Sequence, residues 1–201
     1  MIFLRGLIVF CLLITLPCSA KTLLEFEGKI YPRRFLQVKG IGYGHHAIVW
    51  KDGRTSEKAL IEAEIPDREV ADILAKQGLV GGNNLTNETW TARNDPNNPA
   101  ADARVAGPTV EVTVTWEGLN RWEKLKEILG MPEADYRFGD HRPLIPIWKS
   151  GCIVCNVSCP GGKISNHSLT IRDQVMKRLR PNLDLEKLPK DGTKVRVRIS
   201  K

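Results

Sequence analysis

Cys152, Cys155 and Cys159 fall within a single short stretch, Gly151-Cys-Ile-Val-Cys-Asn-Val-Ser-Cys-Pro-Gly-Gly162. An odd number of cysteines cannot pair completely, so at least one sulfur is a free thiol, bridges to another chain or binds something. The spacing C-x2-C-x3-C-P matches the last three ligands of the bacterial ferredoxin run, in which thiolates hold iron. The first ligand of that run is absent, because Lys149 stands three residues before Cys152. Four chemistries fit the trio. A Cys152–Cys155 or Cys155–Cys159 disulfide would staple the loop, as oxidising compartments favour. A mononuclear site of two or three thiolates and an imidazole would suit zinc or cuprous copper, with His141 and His167 flanking the cluster as further ligands. An iron–sulfur cluster would take the three sulfurs and one other ligand. Thiol–disulfide exchange would use Cys152 as the attacking thiolate and Cys155 as the resolving sulfur.

The other histidine pair, His45 and His46, follows the glycine-rich run Gly40-Ile-Gly-Tyr-Gly44 and precedes an apolar strand. Strand alternation allows at most one of the two to face inward. A single inward histidine reads first as a structural residue. The functional alternative brings His45 or His46 to the cysteine loop as a metal ligand or proton carrier. No G-x-S-x-G, H-E-x-x-H or glycine-rich phosphate loop is present, so a cysteine is the only visible nucleophile and a non-enzymatic role is expected.

The elements that must position these residues begin after an expected secretory signal peptide over residues 1–20. It combines Arg5, the apolar run Gly6 to Leu16 and the small-residue stretch Cys18, Ser19, Ala20. That run is too short to span a bilayer, and no second long apolar segment follows. A periplasmic or secreted protein results, with Cys11 and Cys18 removed. Export also sets the iron–sulfur reading against the compartment, since a chain exported unfolded arrives without the cytoplasmic assembly machinery.

Residues 21–201 are expected to form one α+β domain with a mostly antiparallel or mixed sheet and two main amphipathic helices. The first helix spans about 67–77, where Val70, Ile73 and Leu74 share a face and Gly78 closes it. The second follows Asn120, with Glu123 placed for a capping box and Trp122, Leu125, Ile128 and Leu129 facing inward. Between Lys21 and Trp50 two strands flank a loop; Thr109 to Trp116 and about 193–199 alternate as half-buried strands. Residues 81–108 read as an irregular insertion on which no core depends, and residues 148–163 as a cysteine-rich loop.

The formal charge of +7 is localised: residues 172–201 carry ten Lys and Arg against four Asp and Glu. In Lys194-Val-Arg-Val-Arg-Ile199 the cations alternate with apolar residues, the wet face of a strand or a protected sheet edge. The alternative use is contact with an anionic surface. No aromatic residues interleave with these cations, which argues against nucleic acid as a partner.

His46-Ala-Ile-Val-Trp50, Ala71-Asp-Ile-Leu-Ala-Lys-Gln-Gly-Leu79 with Gly81, and Val110-Glu-Val-Thr-Val-Thr-Trp116, behind a signal peptide, resemble the YdjY-like family of small exported bacterial proteins. The resemblance implies the architecture, and His46 matches the family histidine. It implies no activity, although members are sometimes labelled ferredoxin-like. Ser150 to Asp173 looks like an added signature of a subgroup. The expectation is therefore an exported, non-enzymatic protein that binds zinc, copper or an iron–sulfur cluster through Cys152, Cys155 and Cys159 with His141, His167 or His46. Its rivals are a thiol-redox protein and a module with a stapled loop; a protein partner is unidentified under each.

Overall fold

A computed structural model describes residues 20–201, so the expected signal peptide, apart from Ala20, lies outside the described residues. Strand β1 (Thr22–Ile30) buries Phe26, Gly28 and Ile30 and exposes the residues between them. A register shift near Thr22 and Leu24 lets Leu23 face the core out of phase with that alternation. β1 pairs along its whole length with the last strand, β9 (Thr193–Ser200), from Thr22 opposite Ser200 to Ile30 opposite Thr193. β9 alternates as expected, burying Val195, Val197 and Ile199 and leaving Lys194 and Arg196 exposed. It is a central strand and not an edge. Arg198 bonds Glu25 at 2.7 Å and stacks 3.8 Å above the Trp122 ring, so its charge is engaged within the fold.

The remaining strands are β2 (His46–Trp50), β3 (Ile61–Ala63), β4 (Glu111–Trp116), β5 (Glu123–Lys124), β6 (Tyr136–Phe138), β7 (Cys152–Cys155) and β8 (Ile164–Asn166). Together the nine make one mixed sheet in the order β5-β4-β9-β1-β3-β2-β7-β8-β6, antiparallel except at β2–β3 and β7–β8. The sheet curls into a half-barrel. At one end its two limits meet: Val110 N–H donates to Tyr136 O and Phe138 N–H to Pro108 O, both at 2.9 Å, which ties β6 to the segment that leads into β4.

Among the described residues six helices decorate this sheet: α1 (Pro32–Gln37), α2 (Asp67–Lys76), α3 (Asn87–Thr91), α4 (Leu125–Ile128), α5 (Ile145–Trp148) and α6 (Ile171–Val175). α2 is the helix expected over 67–77, with Val70, Ala71 and Leu74 buried against the sheet. The second expected helix is not realised as such. Glu123 and Lys124 pair with Val114 and Thr113 as β5, because the outer edge of β4 offers backbone groups that extended residues satisfy. Only 125–128 is helical, although Leu125, Ile128 and Leu129 are buried as the pattern required.

Residues 81–108 also differ from expectation. They contain α3 and two short 3-10 turns, and they bury Leu85, Ala92, Ala101 and Val105. Polar composition concealed this, since small alanines supply much of the buried surface.

The core divides in two. The larger part lies between the sheet and α2 and includes Ile30, Phe35, Ile48, Leu74, Val114, Phe138, Ile153 and Val197. The smaller gathers Val49, Ala59, Cys152, Cys155, Val157, Cys159, Ile171 and Leu179.

Candidate metal centre

In a regular strand, residues three apart point to opposite sides of the sheet. Cys152 and Cys155 nevertheless share the smaller core, while Ile153 and Val154 between them face the larger one. The cause lies in the pairing of β7 with β2, where the register shifts between His46 and Ile48 and again between Ile48 and Val49. Those irregularities turn both sulfurs to one side and set His46 opposite Cys155. The two sulfurs lie at bonding distance, with their Cα atoms 6.5 Å apart.

Cys159 joins them through the turn after β7. Asn156 N–H donates to His45 O at 2.8 Å and Asn156 Nδ2 to Gly44 O at 2.7 Å, which binds the cysteine turn to the histidine turn. Gly162 N–H closes on Cys159 O at 3.1 Å, and Gly161 N–H reaches Cys159 Sγ at 3.4 Å. Gly162 cannot carry a side chain here, because a Cβ would sit 2.5 Å from Ser165 Oγ and 3.1 Å from Cys155 Sγ.

Both histidines reach the sulfurs, contrary to the expectation that only one would face inward. His45 precedes β2 in a turn after Gly44, whose φ is +68°, so strand alternation does not govern it. The two rings lie 4.4 Å apart. Ligand atoms of His45, Cys155 and Cys159 fall within 4.8 Å of one another, as do those of His46, Cys152 and Cys155. Two thiolates on one zinc, each at about 2.3 Å, are at most about 4.6 Å apart; either triad could close on an ion once Cys152 and Cys155 are reduced, since they lie at bonding distance. Cys155 belongs to both.

Electrostatics favours neutral ligands. Burial pushes the His45 imidazolium down to about 4 against a Gln174 hydrogen bond that raises it, and holds His46 well below its ordinary range with help from His45 and Lys58. Burial pushes the Cys159 thiol up to about 11, partly offset by the Gly161 and Gly162 amides and by Lys163. Lys163 is itself 1% exposed, its Nζ 3.8 Å from Asp67. Burial lowers the lysine and raises the aspartate. The Nε2 of His45 and the Nδ1 of His46 are buried with no hydrogen-bond partner. An unsatisfied buried acceptor costs on the order of 1–3 kcal/mol, which coordination would recover.

His141 and His167 are held elsewhere. His141 Nδ1 faces Gly162 O at 3.2 Å and Nε2 accepts from Leu85 N–H at 3.2 Å, so both nitrogens are engaged in joining the 81–108 segment to the cysteine turn. His167 Nδ1 is bonded to Val105 O at 2.8 Å. Neither ring belongs to the two ligand triads. Sequence reasoning missed Trp90 and Trp148, which with His45, His46, Cys152 and Cys159 line a cavity of about 330 Å³ over the centre. Nothing local to either tryptophan signals this role.

The YdjY domain family matches residues 20–200. The chain belongs to the YdjY family. A curated YdjY relative, the "Uncharacterized protein YdjY" of Escherichia coli (strain K12), is 27% identical over 128 residues, 62% of this chain and 52% of the relative. The chain thus spans about half the length of that YdjY protein. No solved structure matches. Membership in the YdjY family agrees with the resemblance carried by His46-Ala-Ile-Val-Trp50 and the β4 run, and it brings no assigned activity.

Proposed function

We propose that this YdjY protein is an exported, periplasmic, non-enzymatic metal-binding protein whose centre consists of His45, His46, Cys152, Cys155 and Cys159. One observation carries the reading: a buried His45 and a half-buried His46, each with a buried unpartnered nitrogen, lie against the three sulfurs of the small core. Mixed nitrogen and sulfur donors suit zinc or cuprous copper, which accept low coordination numbers. Of the histidines first assigned, His46 is kept, and His45 stands where His141 and His167 were expected. When bound, the ion would hold the thiols as thiolates; Lys163 supplies a buried positive charge beside Cys159 that favours the same state.

The test is to express the chain with its own N-terminus, fractionate the cells, and record the first residue, metal content, free thiols and absorbance. Processing to Lys21, with about one zinc or copper per chain, is expected, and the metal should be lost in the triple Cys→Ser variant and in His45→Ala/His46→Ala. An unprocessed cytoplasmic chain would sink the export claim. Visible charge-transfer bands with bound iron and sulfide would replace the mononuclear centre with a cluster. Absence of metal together with one free thiol would leave only the bridge.

A second reading, thiol–disulfide exchange, is favoured by the bonding distance of Cys152 and Cys155. Two thiols would give one disulfide, two protons and two electrons, passed to an external disulfide partner. Against it stands access: all three sulfurs are buried, and a fast attacking thiol needs an exposed, stabilised thiolate.

A further inference from the structure

We infer that the cavity over the centre is a binding site for a small ring-bearing carboxylate, held at the mouth by Arg54 and Lys58 and against a corner made by Trp90 and Trp148. For its purpose, though not for its affinity, this rests on the metal-centre reading, for which it names the ligand class.

Apart from the unpartnered nitrogens of His45 and His46, which the metal-centre reading assigns to the ion, the unmet polar groups of the cavity are donors. Arg54 and Lys58 both line it, and neither forms an ion pair among the described residues. No lining residue is acidic; Glu57, between the two cations in sequence, does not face the cavity. Trp148 is a lining residue whose Nε1–H is buried without an acceptor. Two exposed cations at the mouth and one buried N–H without an acceptor further in call for an anion.

The walls set the rest of the ligand. Trp90 meets Trp148 edge-on with ring centres 5.6 Å apart, and it meets His45 edge-on at 6.1 Å. Three rings in series give an apolar corner suited to a flat partner stacked or edge-on. Gly42 and Gly161 contribute no side chain to the cavity. A volume of about 330 Å³ admits one ring with a short substituent and stands at the lower end of small-molecule sites. The construction also explains why the 81–108 segment carries an ordered α3: that helix delivers Trp90.

Benzoate is the probe, titrated calorimetrically into the full chain both as purified and after removal of metal by a chelator, with benzyl alcohol and acetate as comparators. Benzoate should bind at one site, with the other two at least about tenfold weaker, since one lacks the charge and the other the ring. Arg54→Gln/Lys58→Gln, two exposed changes that leave the core alone, should weaken benzoate about tenfold without altering metal content. Trp148→Phe, which keeps the ring and removes the N–H, should weaken it by a smaller factor. Equal binding of benzoate and benzyl alcohol, or benzoate binding untouched by the double variant, overturns the assignment. Metal without benzoate binding refutes the ligand class and leaves the metal centre standing. Benzoate binding that depends on Arg54 and Lys58 in a chain that holds no metal supports the ligand class and refutes the metal.

Discussion

His141 is buried and His46 half-buried, and the two imidazoles make opposite demands on the surrounding chain. His141 has a partner for each nitrogen and ties Leu85 to Gly162, whereas His46 leaves Nδ1 without one. Replacing His141 with alanine should therefore cost about 2–4 kcal/mol in urea unfolding, from two lost buried hydrogen bonds and a cavity, while metal per folded chain stays unchanged. His46→Ala should do the reverse, losing metal with a small change in the urea midpoint of the metal-free protein. Protonation supplies a further check. His45 and His141 both titrate near 4 when folded, against an ordinary value of 6.5. The unfolded chain binds those protons first, so the stability they contribute is complete above about 6.5 and is lost as pH falls towards 4. Urea midpoints of the metal-free protein at pH 7, 5.5 and 4.5 should decline, and the decline should be shallower in His141→Gln. A midpoint that does not move would contradict the burial of both rings. The cysteine trio was legible from spacing alone, as was the surplus of one sulfur over a disulfide. His46 was legible as well, but that His45 would join it and His141 would not was not legible, because His141 stands near the cluster in sequence but spends both nitrogens on backbone groups, and that depends on how the 81–108 segment folds.

Among the elements, the turn from Gly40 to His45 and the irregular β2–β7 pairing decide where the donors point. Gly44 has φ +68°, and a Cβ there would lie 2.6 Å from Pro181. Gly44→Ala should cost about 1–3 kcal/mol and weaken metal binding by displacing His45. Gly192→Ala is the control: its φ is +85°, but nothing lies within 4 Å, so it should cost less and leave metal binding intact, measured by the same unfolding and metal titrations. α2 was readable because its apolar positions repeat every three to four residues over ten residues. Residues 120–129 carry a similar pattern, but the open edge of β4 captured Glu123 and Lys124 before the helix could begin. Bulges such as those in the β2–β7 pairing leave no local signature, and so the placement of Cys152 and Cys155 on one side could not be anticipated from C-x2-C.

Across the whole molecule, bound metal and folding should be linked. An ion that binds only the native arrangement stabilises it by about 2.7 kcal/mol at a free concentration of a hundred times its dissociation constant. Thermal unfolding with added zinc should show a rise in midpoint that a chelator reverses. Prior oxidation of Cys152 and Cys155 to a disulfide should abolish most of that rise, since the sulfurs cannot serve both bonds; an undiminished rise would place the ion elsewhere. The pairing of β1 with β9 has a consequence for how this centre is first made. Ile30 waits for Thr193 and Thr22 for Ser200, so a chain that emerges from its first residue has no partner for one edge of β1 until its last strand arrives. The sheet that buries the sulfurs is thus completed only at the end of emergence. Were the cysteines still open until then, Cys152, Cys155 and Cys159 would meet metals and oxidants before the sheet closes, and the first encounter would decide whether a newborn molecule starts life loaded or bridged.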